Sequence, residues 1–316
     1  MAKLLVPVLF SVLVFYMMYE RPRLYHADLL TEIVQLEAVD SDRNRWIAED
    51  LNICEPQAEL ALFEENTESN AGDSLCSSSD FRPASELQQE PILRLLPGTR
   101  AVLQWSLRSG LNIELHAKSG SSSAAELISA ATGQKMELGP KIILHRPPQG
   151  DSLTAALTFP FEGYGVFGTD ARLGVTGLLS QGQISAYEDT PLIGERYLVQ
   201  NVELSLGDTV KFINDSNQNV PVKGFLRIAL NDEGVEQGIY AIAYSNISGE
   251  AGASESGRIK VFRFGSEGYE FSPTLWARLQ NAPDIILFVS FLGLIMALAE
   301  ANSLILSFRS NKKNDE

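Results

Sequence analysis

Asn112-Ile113-Glu114-Leu115-His116-Ala117 alternates polar and apolar side chains without a break. That is the period of two a strand needs when one of its faces is buried, and a helix cannot use it. Val202-Glu203-Leu204-Ser205-Leu206 repeats the pattern. Short apolar runs of strand length recur on either side, at residues 100–107, 141–145, 153–161, 182–187, 210–213, 222–230, 239–244 and 259–264. Turn-forming clusters separate them: Leu96-Pro97-Gly98, Gly207-Asp208, Asn214-Asp215-Ser216-Asn217, Asn231-Asp232-Glu233-Gly234 and the glycine-rich residues 249–257. Many short strands so punctuated predict a mainly β protein. Residues 92–271 are expected to form an antiparallel β-sandwich or barrel, as one domain or two small β units in tandem. One helix is expected to interrupt them at residues 122–131, where SSAAELISAA sets good helix formers behind a serine cap.

Ahead of this region, Asp28-Leu29-Leu30-Thr31-Glu32-Ile33-Val34-Gln35-Leu36 carries apolar residues at helical spacing, and residues 42–51 repeat it through Trp46, Ile47 and Leu51. Residues 21–63 therefore read as an N-terminal, membrane-proximal helical segment. Residues 64–91 are acidic and rich in Ser and Asn, too poor in aliphatic side chains to bury a core, and read as a linker.

Both ends of the chain read as membrane segments. Residues 4–19, LLVPVLFSVLVFYMMY, hold no formal charge, and with Met1 to Lys3 they predict a span over residues 1–20. The rival reading is a cleaved signal peptide. The bulky run Phe15 to Tyr19, followed by Arg21, offers no small-x-small cleavage pattern and favours an uncleaved anchor. Residues 284–308 form the second expected span, apolar on every face up to Ala299 and carrying one acid, Glu300, inside the apolar stretch. Residues 272–283, with Ser272 as cap and Pro273 at the first helical position, predict a short interfacial helix leading into it.

Basic residues set the expected orientation. Lys3, Arg309, Lys312 and Lys313 flank the terminal side, against Arg21, Arg23 and Arg278 on the loop side. Both termini, including the tail 309–316, are then cytoplasmic and the main domain is extracytoplasmic, in a cell membrane that fits a bacterial inner membrane. Tyr16, Tyr19 and Trp276 fall at the outer interface, where amphipathic rings anchor. Cys54 and Cys76, the only cysteines, both lie in the exported region and are expected to form a disulfide.

The chain has 40 acids against 25 bases, a net charge of −15, which argues against a nucleic-acid partner. Membrane lipid is the first expected partner. Gly293, Ala297 and Ala301 recur at the four-residue spacing that lets helices approach closely, with Glu300 flanking them. An acid within a span is costly and reads as functional. Lys3, near the same leaflet, is its candidate partner. This face predicts packing in a homo-oligomer or a hetero-complex with other membrane proteins.

Enzyme motifs are few. Gly163-Tyr164-Gly165-Val166-Phe167-Gly168 matches G-x-G-x-x-G, but residues 169–177 do not read as the helix a dinucleotide site requires. No cofactor and no metal site is implied. Phe159, Phe161, Tyr164 and Phe167 crowd the same stretch, as β core or as an apolar contact loop. No P-loop, G-x-S-x-G, H-E-x-x-H or C-x-x-C occurs. The expected function is a non-enzymatic subunit or scaffold of a cell-envelope membrane complex, its β domain serving assembly or ligand recognition. The alternatives are an outer-face enzyme acting on envelope glycans through paired carboxylates, and a two-span oligomeric channel.

Overall fold

The computed structural model describes residues 23–48, 51–56, 81–83, 91–146, 157–168, 178–190, 194–231, 233–245, 257–263 and 268–314. Among them, strands β1 (Arg23–Thr31), β2 (Ile33–Ala38), β3 (Arg45–Ile47), β4 (Asn52–Pro56), β5 (Phe81–Pro83) and β6 (Pro91–Leu95) come first. Then follow β7 (Arg100–Ser106), β8 (Gly110–His116), β9 (Ala125–Ser129), β10 (Lys135–Glu137), β11 (Lys141–Arg146), β12 (Thr158–Phe167) and β13 (Leu179–Asp189). The last strands are β14 (Arg196–Leu204), β15 (Asp208–Ile213), β16 (Pro221–Leu230), β17 (Glu236–Ser245), β18 (Arg258–Arg263) and β19 (Tyr269–Phe271). Helices α1 (Leu275–Asn281) and α2 (Pro283–Asn314) close the described chain. The mainly antiparallel β class predicted from alternation is the observed one. On β8 the apolar phase, Leu111, Ile113 and Leu115, is buried.

The strands make a 15-stranded sheet and a 4-stranded one. The main path of the large sheet runs β14-β13-β1-β17-β16-β12-β2-β7-β8-β11-β4-β5, and the small sheet runs β10-β9-β6-β3. By contacts the chain divides into two units. The larger holds Leu24–Ser185 and Asn201–Ser272; the smaller holds Met1–Arg23, Ala186–Gln200 and Pro273–Glu316.

In the larger unit, β12 is the hub. One of its edges carries β2; the other carries β16 along Thr158 to Tyr164 and then β15 at Val166 and Phe167. The sheet forks there, and its two arms face each other where Tyr25 of β1 meets Phe271 of β19 edge-on, centroids 6.1 Å apart. The small sheet joins through Trp46. Its ring packs on Phe159 at 5.1 Å, and its indole N–H donates to the Pro160 carbonyl at 2.9 Å. Two glycines make the close strand contacts possible. A Cβ on Gly163 would overlap the Glu37 carbonyl of β2, and one on Gly224 the Ile242 carbonyl of β17.

Three expected helical features are corrected. Most of the described part of the segment expected to be an N-terminal helix is strand, and its two longest strands lie inside the large sheet: β1 between β13 and β17, β2 between β12 and β7. Leu29, Ile33, Val34 and Leu36 fit either period locally. The choice falls to long-range pairing, such as Leu29 opposite Ala241 and Leu36 opposite Gly165. At the junction the Thr31 hydroxyl donates to the Ile33 carbonyl at 3.0 Å, breaking the ladder where the chain changes partner. The helix expected at residues 122–131 is strand β9, held by β6 with Leu93 opposite Leu127 and an Arg94–Glu126 ion pair at 3.3 Å. The interfacial helix starts later than Ser272, because the Thr274 hydroxyl caps it by accepting from the Ala277 N–H at 3.1 Å. The first expected span, residues 1–20, lies outside the described residues, as does most of the 64–91 linker.

Candidate functional site

In the smaller unit a buried charge cluster sits where the chain leaves the last strand for its apolar helix. Ile184, Ala186 and Glu188 share one phase of β13, so Glu188 stands on a buried phase, fully excluded from solvent. The Arg278 Nη2 of α1 reaches Glu188 Oε1 at 2.7 Å and Arg23 Nε reaches it at 3.0 Å. The Tyr197 hydroxyl donates to Oε2 at 3.3 Å. One carboxylate thus ties the first residue of β1, two strands and the helix before α2. The Asn281 amide adds a bond to the Val199 carbonyl at 2.8 Å.

The outward side of α1 is the reverse of a soluble helix. Arg278 is buried, while Leu275 and Trp276 are 57% and 65% exposed. A helix that hides its cation and shows its aromatic ring suits a lipid interface. The 20-residue stretch Pro283–Asn302 that follows is long and apolar enough to cross a membrane. Ile286, Leu287, Val289, Phe291 and Leu294, on successive faces of α2, are all at least half exposed.

In the larger unit a cleft of about 700 Å³ opens on the sheet between β13, β14, β1, β16 and β17. Cross-strand register builds it. Arg227 lies opposite Tyr240, and Tyr240 opposite Leu30, with Asp28 two residues before Leu30 on the same face. The Arg227 guanidinium stacks 4.5 Å above the Tyr240 ring, while the Asp28 carboxylate interacts with the Tyr240 hydroxyl. Burial and the Asp28 carboxylate together push the phenol up to about 12. Gln181, Gln183, Glu203 and Gln237 complete the polar lining. None of these four side chains has a hydrogen-bond or ion-pair partner among the described residues.

The sequence-predicted residues fall in different places. Cys54 is fully buried on β4 and is not a free thiol; Cys76 lies outside the described residues. Lys3, Tyr16 and Tyr19 also lie outside them. Gly293, Ala297, Glu300 and Ala301 are exposed on α2, and the space beside Gly293 is open. The apolar contact loop is corrected. Phe159, Phe161 and Phe167 are buried ring-to-ring in β12, with Tyr164 half-buried, because a ten-residue strand hides every second side chain. The glycines of G-x-G-x-x-G belong to that strand and its end. His145 is buried on β11, its Nδ1 2.7 Å from the Asn112 Oδ1, and His116 pairs at the surface with Glu114 at 3.3 Å. Among the described residues no three His, Cys, Asp or Glu are grouped to hold a metal ion.

Glu188 was findable as an acid on the apolar phase of Ile184 and Ala186. The cleft carried no such signal, since glutamines on an open strand face look like ordinary surface. The chain matches no known protein-family model, no curated protein and no solved structure.

Proposed function

We propose that this chain is a membrane-anchored, non-enzymatic recognition subunit of a cell-envelope complex, displaying its β body outside a bilayer. Two spans, residues 1–20 and 284–308, hold it, with both termini cytoplasmic. A Cys54–Cys76 disulfide, closing about 20 residues, stabilises the exported part by about 3 kcal/mol in the chain-entropy model. Gly293, Ala297, Glu300 and Ala301 give α2 a face for a second copy or a partner helix. The observation that carries the reading is the inverted polarity of α1 at the threshold of an apolar helix: Trp276 outward, Arg278 inward on Glu188.

The test is quenching of tryptophan emission by brominated lipid in nanodiscs. Trp46 and Trp105 are 0% and 8% exposed within the larger unit and serve as internal controls. Trp276 is expected to account for the quenched fraction, and Trp276→Phe to abolish it. Emission insensitive to brominated lipid refutes the anchored reading.

A further inference from the structure

We infer that the cleft between β1, β13, β14, β16 and β17 binds a neutral, polyhydroxylated ligand, a saccharide unit. This rests on reading the larger unit as a recognition module. The charges in the cleft decide the ligand class. Asp28 and Arg227 are both engaged by Tyr240, one at its hydroxyl and one on its ring face. An anionic ligand would meet the carboxylates of Asp28 and Glu203, and a cationic one would meet Arg227. The two carboxylates outweigh the one guanidinium, so an anion is repelled, while a multivalent cation finds a single unengaged counter-charge, Glu203, beside Arg227; strongly charged ligands of either sign lose more solvation than they recover.

The groups left for a ligand are three glutamine amides and the Glu203 carboxylate. Each amide offers two donors and a carbonyl acceptor, and the carboxylate only accepts. A sugar hydroxyl both donates and accepts, so a row of adjacent hydroxyls can satisfy this mixed set. Gln181 and Gln183 stand two residues apart on one face of β13, a repeat of roughly 6–7 Å that spaces their amides along the cleft. Leu30 and Leu230 supply apolar surface for the C–H face of a sugar ring, and Leu230 is 44% exposed. The volume of about 700 Å³ lies within the ordinary range for small-molecule sites.

The experiment uses the full chain in nanodiscs, since a maltoside detergent would itself present a sugar. A panel of neutral oligosaccharides of gluco, galacto, manno and N-acetylated configuration is titrated to about 10 mM, ten times the concentration at which a 1 mM ligand half-saturates. Spermidine and citrate are the charged counter-probes. The expected result is saturable binding of a neutral sugar, weakened at least tenfold by Gln183→Ala and by Glu203→Gln. Both substitutions lie on the open strand face, and unchanged Trp46 emission verifies the fold. No saturable binding by any neutral sugar overturns the inference. So does sugar binding that survives both substitutions, or spermidine or citrate binding more tightly than every sugar. Trp276 quenching is read on the same sample. Intact quenching without sugar binding defeats the ligand assignment alone, and sugar binding without quenching defeats the anchored reading alone.

Discussion

Replacing Glu188 by glutamine removes the anion that Arg278 and Arg23 share while leaving its shape. The ion contacts, at 2.7 and 3.0 Å, are each worth roughly 6 kcal/mol gross at an effective dielectric of about 20. Desolvating three charged groups, at several kcal/mol each, cancels most of that, so the intact cluster adds little net stability. Breaking it is another matter. The Arg278 side chain is 8% exposed, and its cation would be left buried without a counter-charge. Arg23, at 23%, can recover some hydration, and glutamine keeps one acceptor. These concessions place the loss near the lower end of the 3–5 kcal/mol range for a broken buried pair, about 3 kcal/mol. At 2–4 °C per kcal/mol the Tm should fall by about 6–12 °C. Thermal unfolding of the full chain in nanodiscs measures the shift. Amide exchange should localise it to residues 186–200 and 273–281. The double variant Glu188→Leu with Arg278→Leu removes both charges and should recover to within about 1 kcal/mol of the parent. A Glu188→Gln loss below about 1 kcal/mol, or a double variant no better than the single, would refute the claim that this cluster is a desolvated clamp.

Gly224→Ala drives a methyl into the Ile242 carbonyl of a paired strand and should cost about 3 kcal/mol in urea unfolding followed by Trp46 emission. Burial holds the His145 imidazole below its ordinary 6.5, so the unfolded chain takes up the proton first. Stability from this site is whole above 6.5 and drains as pH falls through the folded value; His26 acts in the same direction, its burial outweighing the nearby Asp28. His145→Asn should flatten the slope of unfolding free energy between pH 7 and 5, and an unchanged slope would exclude His145 as its source. Native mass in nanodiscs should show a discrete oligomer that Gly293→Leu or Glu300→Leu dissociates. A monomer in all three samples removes α2 as an assembly face.

The β class and the apolar C-terminal helix were legible because both rest on local patterns. A strand with one face in a core must alternate, as 112–117 does, and a helix long and apolar enough to cross a membrane is apolar on every face, as 285–299 is. Residues 28–36 were misread because their apolar positions satisfy both periods. Only β17, about 210 positions away, and β12 show which applies. The 122–131 stretch was misread because helix propensity is worth a few tenths of a kcal/mol per residue, less than the pairing with β6 supplies.

Composition and periodicity settled an acidic, β-rich chain with an apolar helix near its C-terminal end, since each follows from side-chain chemistry within a few neighbours. Tertiary structure alone decided that the N-terminal segment is central sheet, that Glu188 gathers Arg23 and Arg278, and that Asp28, Arg227 and Tyr240 wall a cleft with three glutamines. Those groups lie as much as 255 positions apart, between Arg23 and Arg278. Strand register, a long-range property, brings them together, and no local window of sequence contains it.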